Sequence, residues 1–378
     1  MRDRDRWCRP AGAWRALLVA GLLLASPAVQ AGSGIVGVNV TNPQWLDRAT
    51  QDAVIQQLVR SGVTTIRIPL LPPSQGANHE PSIDLIKRFS AAGLRITLNL
   101  YPVFRADLPP RPAHPKPHGL WAAHGYSAID LPETRAFTQS VLQELDRQAI
   151  KLAAIEVANE INWTQFNGDF QVPGRGRIIS LDELQHDARV RDIARGFQAY
   201  IGALREIKAV RALLTVNRTT PIISAGLSDP GTVGPNTGSD LDVVSPVATI
   251  QYLKSLGLDD LVDGYGIHTY DIAGVESADH ADRLVRRTFS FCGGEGGKPC
   301  WLTEWGVDTQ TATCPPDDRR RVAIVNNWRT FMRELHRTGK LQASFYYTWS
   351  VPNDKISLFQ CDQLTKSGAI AIAPDVLN

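Results

Sequence analysis

The chain has 378 residues, a net charge of +2, a hydrophobic share of 43% and five cysteines. The charge is nearly balanced and forms no block of one sign, which argues against nucleic acid as the main partner. Beyond the N-terminus, no apolar run approaches the ~20 residues that cross a bilayer, so no membrane span is expected.

The first 31 residues are typical of a signal peptide. Several arginines precede the short apolar run Ala16–Ala25, and small residues leading to Ala31 offer a cleavage site. We therefore expect export, with a secreted or periplasmic location. Residues 32–378 then form one domain, long enough for a barrel of roughly 250 residues with insertions.

Eight short β-branched runs follow in the chain and predict strands. They are Ile35–Val40, Thr64–Leu70, Arg95–Leu100, Ala153–Ala158, Pro221–Ala225, Gly264–His268, Trp301–Glu304 and Ala343–Thr348. Longer amphipathic runs between them predict the helices Ala49–Ser61, Ser82–Ala92, Glu133–Ala149, Asp187–Lys208, Thr249–Leu256, Ala278–Phe291 and Asp317–Arg337. Strand and helix alternate without runs of strands, which indicates parallel β-α-β units. Eight units predict an α/β fold, a single-domain (β/α)8 TIM barrel. The eighth helix would have to lie in residues 364–378, which are the weakest helix candidate.

The longest connections follow predicted strands 3, 4 and 5, at residues 101–132, 162–183 and 227–245. Loops of this length in a compact domain are usually functional or disordered. Because all three leave the carboxyl-end face of the barrel, we expect them to form the walls of a cleft.

Four cysteines remain once Cys8 leaves with the signal peptide, and an even set fits an exported protein. We expect Cys292 to pair with Cys300 across a Gly-rich turn, and Cys314 with Cys361 between two late loops. Spacing alone leaves the connectivity open, and these spacings do not resemble a zinc site.

Two glutamates stand at strand ends. Asn159-Glu160 ends the fourth predicted strand and Glu304 ends the seventh, and strand ends line the active-site face of such a barrel. Two carboxyl groups are the minimum equipment for cleaving a glycosidic bond. Either glutamate alone could be an ordinary ion-paired residue, but together they favour catalysis. Glu156 shares a face with Glu160 but lies mid-strand, so it is interpreted as a buried structural carboxylate.

Four further residues can support this pair. The guanidinium of Arg67 would hold a neighbouring carboxylate in its charged form, although a core ion pair is the alternative. Tyr270 can donate a hydrogen bond to the same carboxylate, Asn159 offers an amide to a sugar hydroxyl, and Trp349 offers a flat face on which a sugar ring can stack.

Other candidates have strong structural alternatives. Asn99 lies on the inward face of the third strand, and His268 is nearly as readily a core histidine as a substrate contact. Trp163 and Phe166 are possible subsite aromatics, or they simply pack in their loop.

Three histidines, His114, His118 and His124, lie in a Pro-rich loop without an adjacent pattern of carboxylates. This arrangement does not indicate a metal site. We expect no metal and no cofactor.

As a set, these residues resemble the site of the retaining glycoside hydrolases of clan A, with families 5 and 39 the nearest match. The resemblance covers the whole mature chain. It implies that Glu160 is the acid/base and Glu304 the nucleophile, that Arg67 and Tyr270 support Glu304, and that Asn159 contacts the sugar 2-hydroxyl. By the same resemblance Trp349 floors the reacting subsite. Near the end of the third strand, where many family 5 members have a histidine, this chain has Asn99 and Tyr101.

The expected protein is an exported, monomeric, retaining β-glycoside hydrolase that acts on a polysaccharide or oligosaccharide by double displacement. A transglycosylase using the same site and a non-catalytic carbohydrate-binding barrel are the alternatives. The sugar, the linkage and the choice between endo and exo cleavage stay open.

Overall fold

A computed structural model describes residues 34–76, 79–112, 122–229, 241–270, 272, 283–284, 287–293, 297–311, 313–352 and 354–377. The predicted signal peptide, residues 1–31, lies outside the described residues.

Eight parallel strands form the centre of the fold. They are β1 (Ile35–Asn39), β2 (Thr65–Leu70), β3 (Arg95–Leu100), β4 (Ala154–Val157), β5 (Ile222–Ile223), β6 (Tyr265–Thr269), β7 (Cys300–Trp305) and β8 (Leu341–Tyr346). Their spatial order is β5-β4-β3-β2-β1-β8-β7-β6, so each strand lies beside its neighbour in the chain and β1 pairs with β8. All eight predicted strands are confirmed, with ends that differ by two residues at most.

The barrel closes between β5 and β6. Single parallel bridges join Ile223 to Gly264 and Leu227 to Ile267, and the His268 amide donates to the Leu227 carbonyl at 2.8 Å. On its other side β5 pairs with β4 through only two positions. Strand β5 is therefore the most weakly paired part of a closed (β/α)8 barrel.

Helices cover the outside of the strands. They are α1 (Arg48–Arg60), α2 (His79–Ala91), α3 (Leu131–Arg147), α4 (Leu181–His186), α5 (Arg191–Ala212), α6 (Pro246–Ser255), α7 (Arg319–Arg337) and α8 (Lys366–Ala371). Side chains of Asp47, Asp130 and Ser180 accept hydrogen bonds from the first-turn amides of α1, α3 and α4, and these caps fix where the helices begin. The helix predicted at 278–291 lies largely outside the described residues.

Apolar side chains pack in two places. The larger core lies between the strands and the helices. The smaller cluster is Ala154, Ile223, Trp301, Ala343 and Phe345, with Ile35 packed against it. Strand alternation places Ala154 and Ile223 on the face of Glu156, which points into the barrel, so this cluster fills the barrel interior below the polar end.

Both expected disulfides are present, Cys292–Cys300 and Cys314–Cys361. Of the loops expected to be long, residues 113–121 and 230–240 lie outside the described part of the chain. In the part that is described, none of the helices combines the length and apolar character that a bilayer crossing requires.

Candidate active site

Polar side chains meet at the carboxyl ends of the strands. One carboxylate oxygen of Glu160, one of Glu304 and a ring nitrogen of His268 all lie within 4.8 Å of one another. The three residues come from the ends of β4, β7 and β6, and each is less than a tenth exposed. The structure therefore brings together the two glutamates that lie 144 positions apart in the sequence.

The backbone after β4 is shaped to present Asn159 and Glu160. Ala158 and Glu160 both adopt left-handed conformations, with φ of 67° and 44°; such conformations are uncommon for residues other than glycine and are held by their surroundings. The Asn99 side chain donates to the Ala158 carbonyl at 2.7 Å. The Glu160 amide donates to the Gly226 carbonyl at 2.8 Å. These bonds fix the turn that aims the two side chains at the strand ends.

Arg67, from β2, is the most highly connected side chain of the site. Its guanidinium donates to Glu304 at 2.7 Å, to the Asn39 side chain at 2.7 Å and to the Asn159 side chain at 2.9 Å. It also forms an ion pair with Glu156. Burial alone lowers the pKa of Arg67, but the two carboxylates outweigh it, and the pKa is raised above its usual value. Arg67 is thus a fixed positive charge beneath Glu304.

Glu304 is held as a carboxylate. Its oxygens accept from Arg67 and, at 2.7 Å, from the Tyr270 hydroxyl, and the His268 ring lies 3.6 Å away. Burial raises the pKa of a carboxyl group, yet His268, Arg67 and Tyr270 together outweigh it and lower the pKa of Glu304. An ionised, anchored carboxylate of this kind is equipped to act as a nucleophile.

Glu160 has the opposite environment. Burial raises its pKa and the nearby charge of Glu304 raises it further, and the hydrogen bond from His268 at 2.9 Å only partly offsets them. Two carboxyl groups whose environments separate their pKa values can divide the roles of acid and nucleophile. Glu160 is the group that retains its proton to higher pH.

His268 lies between the two glutamates and is almost completely buried. Nδ1 faces Glu160, and Nε2 lies 3.1 Å from the Thr303 hydroxyl. Burial lowers the pKa of the imidazole, but Glu304 and Glu160 outweigh burial and raise it. Gly226 is necessary here, because a Cβ at that position would lie 2.0 Å from Nε2 of His268.

A cavity of about 710 Å³ opens beside Glu304. Its polar floor includes Arg67, Asn99 and Asn159, and its aromatic lining comprises Trp45, Tyr101, Phe104, Tyr126, Phe166 and Tyr347. This volume falls in the range of small-molecule sites. The aromatic walls and polar floor suit a ligand that has both apolar faces and hydroxyl groups.

The aromatic candidates differ in where they lie. Phe166 lines the cavity, whereas Trp163 is partly buried and tilted against Phe166, with ring centroids 6.4 Å apart.

The prediction that Trp349 stacks on a sugar requires a correction. Its ring is buried against Phe359, with 1% of the residue exposed, so it has no free face for a sugar. Tyr347, two residues earlier, is the aromatic side chain after β8 that lines the cavity.

Within the described residues, Glu160, His268 and Glu304 are a group with metal-ligand chemistry. The guanidinium of Arg67, 2.7 Å from Glu304, would repel a cation bound there. Of the three loop histidines, His124 stacks on Phe104 at 4.8 Å, and His114 and His118 lie outside the described residues. The absence of a metal stays a prediction.

Fold and site together define a closed (β/α)8 barrel with two glutamates at the carboxyl ends of β4 and β7. Comparison with known proteins agrees with the fold. Family models do not match this chain, nor do curated protein sequences. Many solved structures do.

Three of those structures illustrate the likeness. A structure described as a cellulase–inhibitor complex has a TM-score of 0.55 at 13% identity and covers 91% of this chain and 92% of its own. A GH5-4 broad-specificity endoglucanase from an uncultured bacterium has a TM-score of 0.51 at 14% identity, covering 91% and 94%. An exo-β-1,4-mannosidase from Opitutaceae bacterium strain TAV5 has a TM-score of 0.52 at 12% identity, covering 92% and 60%. At these identities the likeness establishes the shared barrel.

Proposed function

We propose that this protein is an exported β-glycoside hydrolase that cleaves a polysaccharide or oligosaccharide with retention of configuration. The observation that supports this most strongly is the glutamate pair, whose facing atoms lie within 4.8 Å while their pKa values shift in opposite directions. Retaining enzymes hold their carboxyl groups about 5 Å apart, and inverting enzymes about 6.5–9.5 Å apart to admit a water molecule.

The first half of the reaction forms a covalent intermediate. Glu304 attacks the anomeric carbon and makes a new carbon–oxygen bond, while the glycosidic carbon–oxygen bond breaks. Glu160 gives its proton to the departing oxygen, so the leaving sugar departs as an alcohol. Arg67 and Tyr270 keep Glu304 ionised for this attack.

The second half releases the product. Glu160, now a carboxylate, takes a proton from water; the water oxygen bonds to the anomeric carbon and the ester to Glu304 breaks. His268 hydrogen-bonds Glu160 and so positions it for both proton transfers. Asn159, held by Arg67 and lining the cavity, is placed to contact a hydroxyl of the reacting sugar.

Two features support the substrate class and the location. The structural neighbours described as a cellulase complex, an endoglucanase and an exo-mannosidase are named for action on polysaccharides or their fragments. Two disulfides fit an oxidising compartment and therefore export.

Proton NMR of the first-formed product tests the proposal on a panel of β-linked polysaccharides. We expect the β anomer to appear first, because two displacements restore the configuration. An α anomer would rule out double displacement. Longer products on addition of a sugar acceptor would identify a transglycosylase instead, and binding without turnover would identify a carbohydrate-binding barrel.

The variant Glu304→Gln tests the assignment of Glu304 as the nucleophile. The change is nearly isosteric, so we expect the fold to persist and turnover to fall by about 10⁴-fold or more, as when other catalytic nucleophiles are removed. Glu334→Gln, on the outside of α7, is the control and should leave turnover unchanged. A Glu304→Gln protein with near-normal turnover would remove the nucleophile assignment.

A further inference from the structure

The loop after β1 presents a tryptophan at the mouth of the cavity. Trp45 ends the short 3-10 turn Pro43–Trp45 and is 59% exposed, although it lines the cavity. Single exposed apolar side chains are common on protein surfaces, but Trp45 also lines the cavity that contains Glu304. Its exposed ring is therefore accessible to a ligand that enters this cavity.

The turn that carries Trp45 is braced from below. Gln51, a buried residue of α1, donates from its side chain to the carbonyls of Pro43 and Leu46, both at 3.0 Å. Arg88 of α2 in turn hydrogen-bonds the Gln51 side chain. Two helices thus hold the backbone on both sides of Trp45. A ring on a rigid support loses little conformational entropy when a ligand stacks on it.

The residues that line the cavity indicate on which side of the scissile bond it lies. Its lining includes the nucleophile Glu304 and Asn159, whereas Glu160 does not line it. In double displacement the sugar that stays on the enzyme is bonded to the nucleophile, and the acid faces the oxygen that leaves. The cavity therefore lies on the side of the retained sugars, the glycone side.

We propose that Trp45 is a stacking platform for a sugar unit on the glycone side, remote from the reacting unit, so that this protein recognises its glycan mainly through the part it retains. This inference rests on the proposed hydrolase function and adds to it a chain-length requirement. Tyr347 and Phe166 are further aromatic residues that line the same cavity.

The test uses the full-length mature protein and its Trp45→Ala, Trp45→Phe and Leu213→Ala variants. Leu213 is 69% exposed at the end of α5 and serves as the matched surface control. The substrates are β-1,4-linked gluco-, manno-, xylo- and galacto-oligosaccharides of two to six units, labelled at the reducing end.

For Trp45→Ala we expect KM to exceed the wild-type value by a factor that grows with the length of the substrate. On six units the factor should be about tenfold, which corresponds to about 1.4 kcal/mol of lost binding. The value of kcat should change much less. Trp45→Phe should recover most of the loss and Leu213→Ala should show none. Wild-type protein should release short labelled fragments, because the long unlabelled part occupies the glycone side.

Equal KM values for wild-type and Trp45→Ala protein at every length would overturn the proposal, as would label found mainly in long fragments. Calorimetric binding of the six-unit chains separates this outcome from failure of the hydrolase assignment. Binding that depends on Trp45 without any hydrolysis would refute the proposed hydrolase function but support stacking of a sugar on Trp45. Neither binding nor hydrolysis would refute both.

Discussion

The hydrogen bond from Tyr270 to Glu304 has a measurable consequence for the pH profile. Tyr270→Phe removes a 2.7 Å bond to the charged carboxylate without changing the shape of the ring. Hydrogen bonds to charged groups contribute about 1.5–3 kcal/mol. Because Tyr270 is 42% exposed, the lower end applies. At 1.36 kcal/mol per unit, about 1.5 kcal/mol corresponds to about one pKa unit.

The sign follows from which form is stabilised. The bond favours ionised Glu304 and lowers its pKa, so its removal raises that pKa. Attack requires the ionised form, and the acidic limb of kcat/KM against pH should therefore move up by about one unit. The basic limb, which reflects loss of the proton from Glu160, should move far less.

The assay is kcat/KM across pH on a soluble oligosaccharide, with Tyr265→Phe as the control. Tyr265 lies on the same strand, β6, but its hydroxyl bonds to Asp259 away from the site. The control should leave both limbs in place. An acidic limb in Tyr270→Phe that stays where it is, or moves to lower pH, would show that this bond does not hold Glu304 ionised.

Two further predictions follow from the acid/base and the disulfides. Glu160→Ala should lose about 10²–10⁴-fold in rate on unactivated oligosaccharides but much less on aryl glycosides whose leaving group needs no proton; equal losses on both would contradict the acid role. Replacing Cys314 and Cys361 by serine should lower the free energy of unfolding by about 4 kcal/mol, since the bridge spans 47 positions. The same change at Cys292 and Cys300, 8 positions apart, should cost less, about 2.5 kcal/mol. Denaturant unfolding measures both, and the reverse order would contradict the loop-length argument.

Strand alternation predicted much of the site. Because Arg67 lies on the face opposite its isoleucine neighbours, its inward direction is visible in the sequence, and the structure places it beneath Glu304. The same logic applies at β6, where His268 and Tyr270 share a face. The eight strands were predictable because each is an apolar run bounded by polar loops.

Other features depend on three-dimensional contacts. Glu156 was interpreted as structural, and the structure adds its ion pair to Arg67. Asn39 was missed, although its position at the end of β1 was the available signal. It accepts from Arg67 and donates to the Thr303 carbonyl. The assignment of Trp349 failed because the course of the chain beyond β8 decides which ring is covered by Phe359 and which reaches the cavity.

Because the strands pair unevenly, Glu304 and Glu160 are attached to parts of the barrel that differ in stability. Strand β7, which carries Glu304, pairs along its length with β6 and β8. Glu160 is instead attached through Gly226 to the segment after β5, the least reinforced seam of the barrel. On gentle heating that seam should open first, so Glu160, the proposed acid/base, should lose its position while Glu304, the proposed nucleophile, is still held in a largely intact barrel.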